Sequence, residues 1–179
     1  MLRTLRGRSV RAMLALDQPF TKTADIRGRI RCPHLLELYE YWARMADGGR
    51  LPQRRRFDPL ELSGPVWPRL FLIETASRPE ECRVRVLGTY LVGAYGREFT
   101  GCRCTDAEIP RFSKSTTYRL LRDILHEKTP QYAYAETQFR FNDDYRHCEQ
   151  VLLPLADDHG GLAAAVGAID FPGLRSGCF

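Results

Sequence analysis

The stretch RHCEQVLLPLADDHGGLAAAVGAIDF, residues 146–171, decides the fold. Arg146 to Leu155 reads as a strand that ends in the apolar run Leu152-Leu153-Pro154-Leu155. Asp157-Asp158-His159-Gly160-Gly161 then supplies the short polar side chains and glycines that a tight turn needs. Leu162 to Phe171 resumes an apolar strand built from small residues. Two strands joined by so short a turn lie antiparallel. Ala163, Ala164, Ala165, Gly167 and Ala168 give the second strand a low surface. That surface either leaves room above the sheet or lets helices come close; close packing is the favoured reading.

Upstream, Gln131 to Phe141 alternates with the two-residue period of a strand. Ala133, Ala135, Thr137, Phe139 and Phe141 fall on one side, with Tyr132, Tyr134, Glu136, Gln138 and Arg140 on the other. The turn Asn142-Asp143-Asp144 joins it to the next strand and completes a three-stranded meander. Before it, about Ser113 to Glu127 has helical spacing: Tyr118, Leu121 and Leu125 share a face flanked by Leu120 and Ile124, Arg119 and Asp123 are an i,i+4 pair, and Thr129-Pro130 is the stop. Leu70 to Glu74 and the alternating Arg83-Val84-Arg85-Val86-Leu87 make a hairpin across Ser77-Arg78-Pro79-Glu80. Thr89 is expected to cap a short helix that Gly96 stops. Pro33 opens an N-terminal helix with Leu35, Leu38, Trp42 and Met45 on one face and Asp47-Gly48-Gly49 at its end. Pro52, Pro59, Pro65 and Pro68 keep Arg50 to Pro68 irregular, with Asp58 capping one short turn.

A chain of 179 residues suffices for one domain and an arm. With 44% hydrophobic and 27% charged residues, most of it should fold. No apolar run reaches the roughly 18 to 20 residues of a membrane span. The net charge of +5 is uneven: 13 Lys+Arg stand against 5 Asp+Glu through Arg56, and 14 against 17 beyond it. Met1 to Leu16 carries Arg3, Arg6, Arg8 and Arg11 among apolar residues, a composition that resembles a transit peptide or an amphipathic surface helix. With Arg54-Arg55-Arg56, these arginines are the candidates for touching nucleic acid, an anionic membrane surface or an acidic partner. A solvated, flexible arm is the plainer reading. Residues 1–31 are therefore expected to be a basic leader, 32–173 a single domain with its N-terminal helix, and 174–179 a tail. Cys32, Cys82, Cys102, Cys104, Cys148 and Cys178 are scattered and follow no secretory signal, which points to reduced thiols in the cytoplasm.

The local sequence resembles a known family. Leu38-Tyr39-Glu40-Tyr41-Trp42, Gly49-Arg50-Leu51-Pro52-Gln53-Arg54 and Phe57-Asp58-Pro59-Leu60 look like the opening of a PAS-domain family found mainly in alphaproteobacteria. The likeness continues through Leu70 to Glu74, Arg83 to Thr89, Gly96 to Gly101, and Leu152-Leu153-Pro154-Leu155 with its acidic turn, covering roughly residues 34 to 171. The basic leader departs from it. The order of helix, two strands, helices and three strands is also that of the PAS fold. The expected class is thus α+β: a PAS-like five-stranded antiparallel sheet with helices on one face, preceded by an N-terminal helix. The resemblance implies a sensory or interaction module that holds small molecules between sheet and helices and pairs with itself or a partner. It carries over no catalytic residue and names no cofactor.

The chemistry-bearing residues also admit plainer roles. His126 lies where some PAS proteins hold a haem, but a surface histidine near a helix C-terminus is the stronger reading. His147 and Cys148 are adjacent on a strand and so point to opposite faces. Cys102 and Cys104 near Arg97 and Arg103 suggest either redox sensing or inert thiols, the latter favoured. Cys102-Arg103-Cys104 is too closely spaced for a zinc knuckle, and no metal site is expected. Asp143-Asp144 and Asp157-Asp158 are turn residues rather than a catalytic dyad. No G-x-S-x-G, Walker loop or H-E-x-x-H supports an enzyme. Tyr90, Tyr95, Phe99, Tyr118, Leu121, Phe139 and Phe141 are the candidate pocket residues. Leu38, Tyr41 and Trp42 are the candidate dimer contacts of the N-terminal helix.

The sequence therefore predicts a non-enzymatic cytoplasmic bacterial regulatory module, a homodimer or the partner of a signalling protein, with a small-molecule ligand. A nucleic-acid-associated regulator using the basic arm and a ligand-free PAS scaffold are the alternatives. No kinase, cyclase or DNA-binding signature accompanies the domain, so the output is expected to pass through a partner or the arm.

Overall fold

A computed structural model describes residues 26–47, 49–136 and 147–172. Its elements are α1 (Pro33–Met45), β1 (Leu70–Glu74), β2 (Arg83–Leu87), α2 (Thr89–Tyr95), α3 (Thr116–Glu127), β3 (Gln131–Glu136), β4 (His147–Ala156) and β5 (Leu162–Asp170), linked in places by 3-10 turns. The strands form one antiparallel sheet in the order β2-β1-β5-β4-β3. Each expected antiparallel strand pair is present, and the last strand joins the two groups by pairing with β1.

Both faces of this sheet are covered, which is why β4 is buried at every residue from Cys148 to Ala156. α2 and α3 lie on one face, over Phe71, Ile73, Val84, Leu152, Ala165 and Ile169. α1 lies on the other, where Leu35, Leu38, Tyr41 and Trp42 meet Val151, Leu153, Leu155 and Val166. Ala164 and Ala168 face α1 and Ala165 faces the opposite helices, so the small residues of β5 serve close packing on both sides. The candidate dimer contacts lie in this layer. Leu38, Tyr41 and Trp42 are 0%, 2% and 7% exposed, and they face the chain's own sheet. Burying each contributes about 1.5 to 3 kcal/mol to the monomer.

A proline inside β4 finds its explanation in the same layer. β3 reaches no further than the Gln131–Leu152 pair, so Pro154 lies beyond the flanking strand and its missing N–H leaves no gap in that ladder. The Trp42 indole donates to the Pro154 carbonyl at 2.8 Å, and Ala156 N donates to Pro52 O at 2.8 Å.

The packed body also begins earlier than residue 32. Ile26 and Ile30 are buried with the α1 layer. Arg31 N and Cys32 N donate to the buried Glu149 carboxylate at 2.6 and 3.1 Å, and Tyr132 Oη donates to it at 3.1 Å. The guanidinium of Arg29 lies over the Tyr132 ring and that of Arg31 over Tyr134.

Three local expectations shift. The N-cap of α2 is Gly88, not Thr89; a β-carbon on Gly88 would meet Pro68 O at 2.2 Å, so close approach selects glycine there. α3 starts at Thr116, where Ser115 Oγ accepts from Tyr118 N at 3.0 Å, and the buried face is Leu120, Leu121 and Ile124 rather than Tyr118, Leu121 and Leu125. Asp123 sits with Arg122 at 3.2 Å, not with Arg119. Asp58 caps its turn as expected, accepting from Leu60 N at 2.9 Å. The Asn142-Asp143-Asp144 turn, the arm before residue 26 and the tail after residue 172 lie outside the described residues.

Candidate functional site

Between the sheet and the α2/α3 layer lies a cavity of about 90 Å³. Phe71 and Ile73 on β1, Val84 on β2, Cys148 and Gln150 on β4, and Ile169 on β5 form its floor. Ala94 and Tyr95 from α2, Phe99, Ile109 and Phe112 from the following loop, and Ser115 to Thr117 at the start of α3 form its roof. None of the described lining residues is charged. The loop that supplies Ile109 and Phe112 is held by Asp106, whose carboxylate accepts from Ser113 N and Oγ at 2.7 and 2.6 Å. Those bonds keep the Asp106 carboxyl below the usual range.

Of the expected pocket residues, Tyr95 and Phe99 line the cavity. Their rings lie 6.1 Å apart, and Tyr95 meets Phe171 edge-on at 6.2 Å. Tyr90, Tyr118 and Leu121 do not line it. The Tyr90 hydroxyl accepts from Phe171 N at 3.1 Å and its ring lies under the Arg69 guanidinium, which pairs with Asp170 at 2.9 Å. The Tyr118 hydroxyl donates outward to Glu80 at 2.6 Å, and its ring packs edge-on against Phe112. Leu121 is fully buried in the core behind. Phe139 and Phe141 lie outside the described residues.

The polar members of the lining are not marked by the aromatic pattern of the sequence. Gln150 Oε1 accepts from Thr117 Oγ1 at 3.0 Å. A signal for it existed: Glu149 and Gln150 are consecutive polar residues in a strand whose neighbours are apolar, so each must find a buried role on its own face.

The nucleophiles are quiet. Cys148 faces the cavity side, opposite to His147, which stacks on Tyr134 at 5.5 Å. Burial pushes the Cys148 thiol up to about 12, against a smaller opposing pull from Arg119. Cys104 is likewise raised to about 12, first by burial and then by Cys82 and Cys102. Such thiols stay protonated and unreactive at neutral pH. Burial also raises the Tyr95 hydroxyl. His126 is exposed at the end of α3, and no histidine is among the described lining residues to hold a haem. Among the described residues no group of three His, Cys, Asp or Glu could hold a metal ion, and no helix is long and apolar enough to cross a membrane.

Of the basic candidates, Arg54, Arg55 and Arg56 form an exposed 3-10 turn, with Arg55 3.1 Å from Asp158. Arg3, Arg6, Arg8 and Arg11 lie outside the described residues.

No curated protein matches the chain. Similar solved structures include the PAS domain of histidine kinase ThkA, at 15% identity over 57% of this chain and 98% of that one, with a TM-score of 0.42. The PAS domain of BvgS from Bordetella pertussis is 17% identical over 61% of this chain and 80% of its own, with a TM-score of 0.42. A cysteine-to-valine variant of the fungal photoreceptor VVD is 14% identical over 79% and 97%, with a TM-score of 0.43. A PAS-domain family model matches residues 30–170, from Ile30 beneath α1 to the end of β5, and the chain accordingly belongs to the PAS domain family.

Proposed function

We propose that this chain is a non-enzymatic sensory or regulatory module of the cytoplasm. It takes a small molecule into the cavity between the sheet and α2/α3 and reports occupancy through protein contacts, as a homodimer or to a signalling partner. The observation that carries this reading is the mostly apolar cavity, with no charge among its described lining residues, on the α2/α3 face of a PAS sheet. Cys148, the thiol among the described lining residues, is held protonated by burial and is no activated nucleophile. Contacts with a partner use surfaces other than the buried face of α1.

Native mass spectrometry of the purified full chain, never refolded, tests it. A bound compound identifiable after release, on a dimer or on a chain that retains a protein partner, is the expected result. A bare dimer points to a ligand-free scaffold. A bare monomer that captures neither compound nor partner overturns the reading.

A further inference from the structure

One polar group in the cavity is unexplained by packing. Gln150 is 1% exposed, yet only part of its amide is used. Its Oε1 accepts from Thr117, while its Nε2 has no hydrogen-bond partner among the described residues. That nitrogen is not sealed into the core, because no fully enclosed side-chain N or O lacks a partner there, and Gln150 lines the cavity. An amide held in this way presents two N–H donors to whatever occupies the cavity. A buried donor left unmet is costly, so a built site of this kind selects an acceptor.

Two further observations narrow the occupant. No charged side chain lines the cavity among the described residues, so an ion entering it loses hydration without compensation from them. The free volume of about 90 Å³ is below the roughly 150 Å³ that holds a benzene molecule in an engineered protein cavity. We propose that the ligand is a neutral, mainly apolar molecule smaller than benzene, whose single carbonyl-type oxygen accepts from Gln150 Nε2. This deepens the small-molecule reading above and rests on it.

Three probes of nearly one shape separate the two claims: acetone, its acceptor-free counterpart 2-methylpropene, and the anion acetate. Each is titrated into the full chain and followed by NMR on the Gln150 side-chain amide and on the methyl groups of Ile73, Ile109 and Ile169. The amide is identified by its loss in Gln150→Leu. Acetone should shift the amide and bind about fivefold more tightly than 2-methylpropene, the worth of one ordinary hydrogen bond. Gln150→Leu should abolish that preference while still admitting 2-methylpropene. If Gln150→Leu does not fold, Gln150→Met, of similar length and without a donor, replaces it. Equal or tighter binding of 2-methylpropene, or preferential binding of acetate, overturns the ligand class and leaves the cavity reading standing. No shift of the isoleucine methyls with any probe overturns both.

Discussion

The ring of Phe71 lies across the α-carbon of Gly167. The two residues are paired directly between β1 and β5, and a β-carbon on Gly167 would come within 2.4 Å of the Phe71 Cζ. It would also meet Val151 O at 2.7 Å, so the backbone of β4 bars the other way out. Phe71 is part of the cavity floor, and the glycine therefore sets the height of that floor. Gly167→Ala should destabilise the fold by about 1 to 3 kcal/mol through overpacking. Phe71→Leu in the same background should recover part of the loss. Urea unfolding of the four chains in a double-mutant cycle measures it, and strict additivity would show that the ring contact is not the reason for the glycine.

Glu149 acts on the opposite face of the same sheet. Its buried carboxylate gathers Arg31 N, Cys32 N and Tyr132 Oη, and so ties the entry to α1 onto β4 and β3. Glu149→Ala leaves these donors without their acceptor and should cost about 2 to 3 kcal/mol. The loss should be local first. In hydrogen exchange, the amides of Arg31 and Cys32 should lose protection while the β4–β5 ladder keeps it. Uniform loss across the sheet would show that the carboxylate supports the whole core instead.

A second carboxylate gives a pH signature. Glu37 on α1 accepts from Ser63 N at 2.6 Å and from Ser63 Oγ at 2.7 Å, and the bond from Ser63 N is the first cause that holds its carboxyl below the usual value near 4.5. A depressed carboxyl contributes stability that is whole above its unfolded value and is lost as pH falls through the lower folded one. The melting temperature of Glu37→Gln should therefore lie below that of the parent at pH 7, and the gap should close as pH drops below about 4.5. A gap independent of pH would mean that the loop at Ser63 is held by shape rather than by the charge.

The parts of this fold that could be read from sequence are those whose spacing answers to one constraint. β1 and β2 were legible to the residue because each is a short apolar or alternating run between turn formers. α1 was legible because Pro33 opens it and the buried Leu35, Leu38 and Trp42 repeat at helical steps. α3 shows where the reading slips. Its periodicity admits two neighbouring faces, and only the bond from Tyr118 to Glu80 shows that the tyrosine turns outward. The side of the sheet that α1 covers was equally hidden, since an apolar helix face does not say which apolar sheet face it meets. The cavity was least legible. Its lining comes from four strands, two helices and a loop brought together by long-range pairing, and aromatic content chose Tyr90 and Tyr118, whose hydroxyls are already engaged elsewhere.

Gln150 offers the sharpest separation of stability from function. A glutamine whose amide is half used adds little to the fold, because burying its unmatched end offsets the bond it makes to Thr117. Replacing both partners by apolar side chains of similar shape removes the bond and the burden together. Thr117→Val combined with Gln150→Leu should therefore leave the unfolding free energy within about 1 kcal/mol of the parent, or raise it. A loss of several kcal/mol in chemical denaturation would make Gln150 a structural residue, held in the core for the sake of α3. An unchanged or more stable double variant would leave the buried amide without a structural reason to be there, and a residue retained against stability at the wall of a cavity is kept for what enters it.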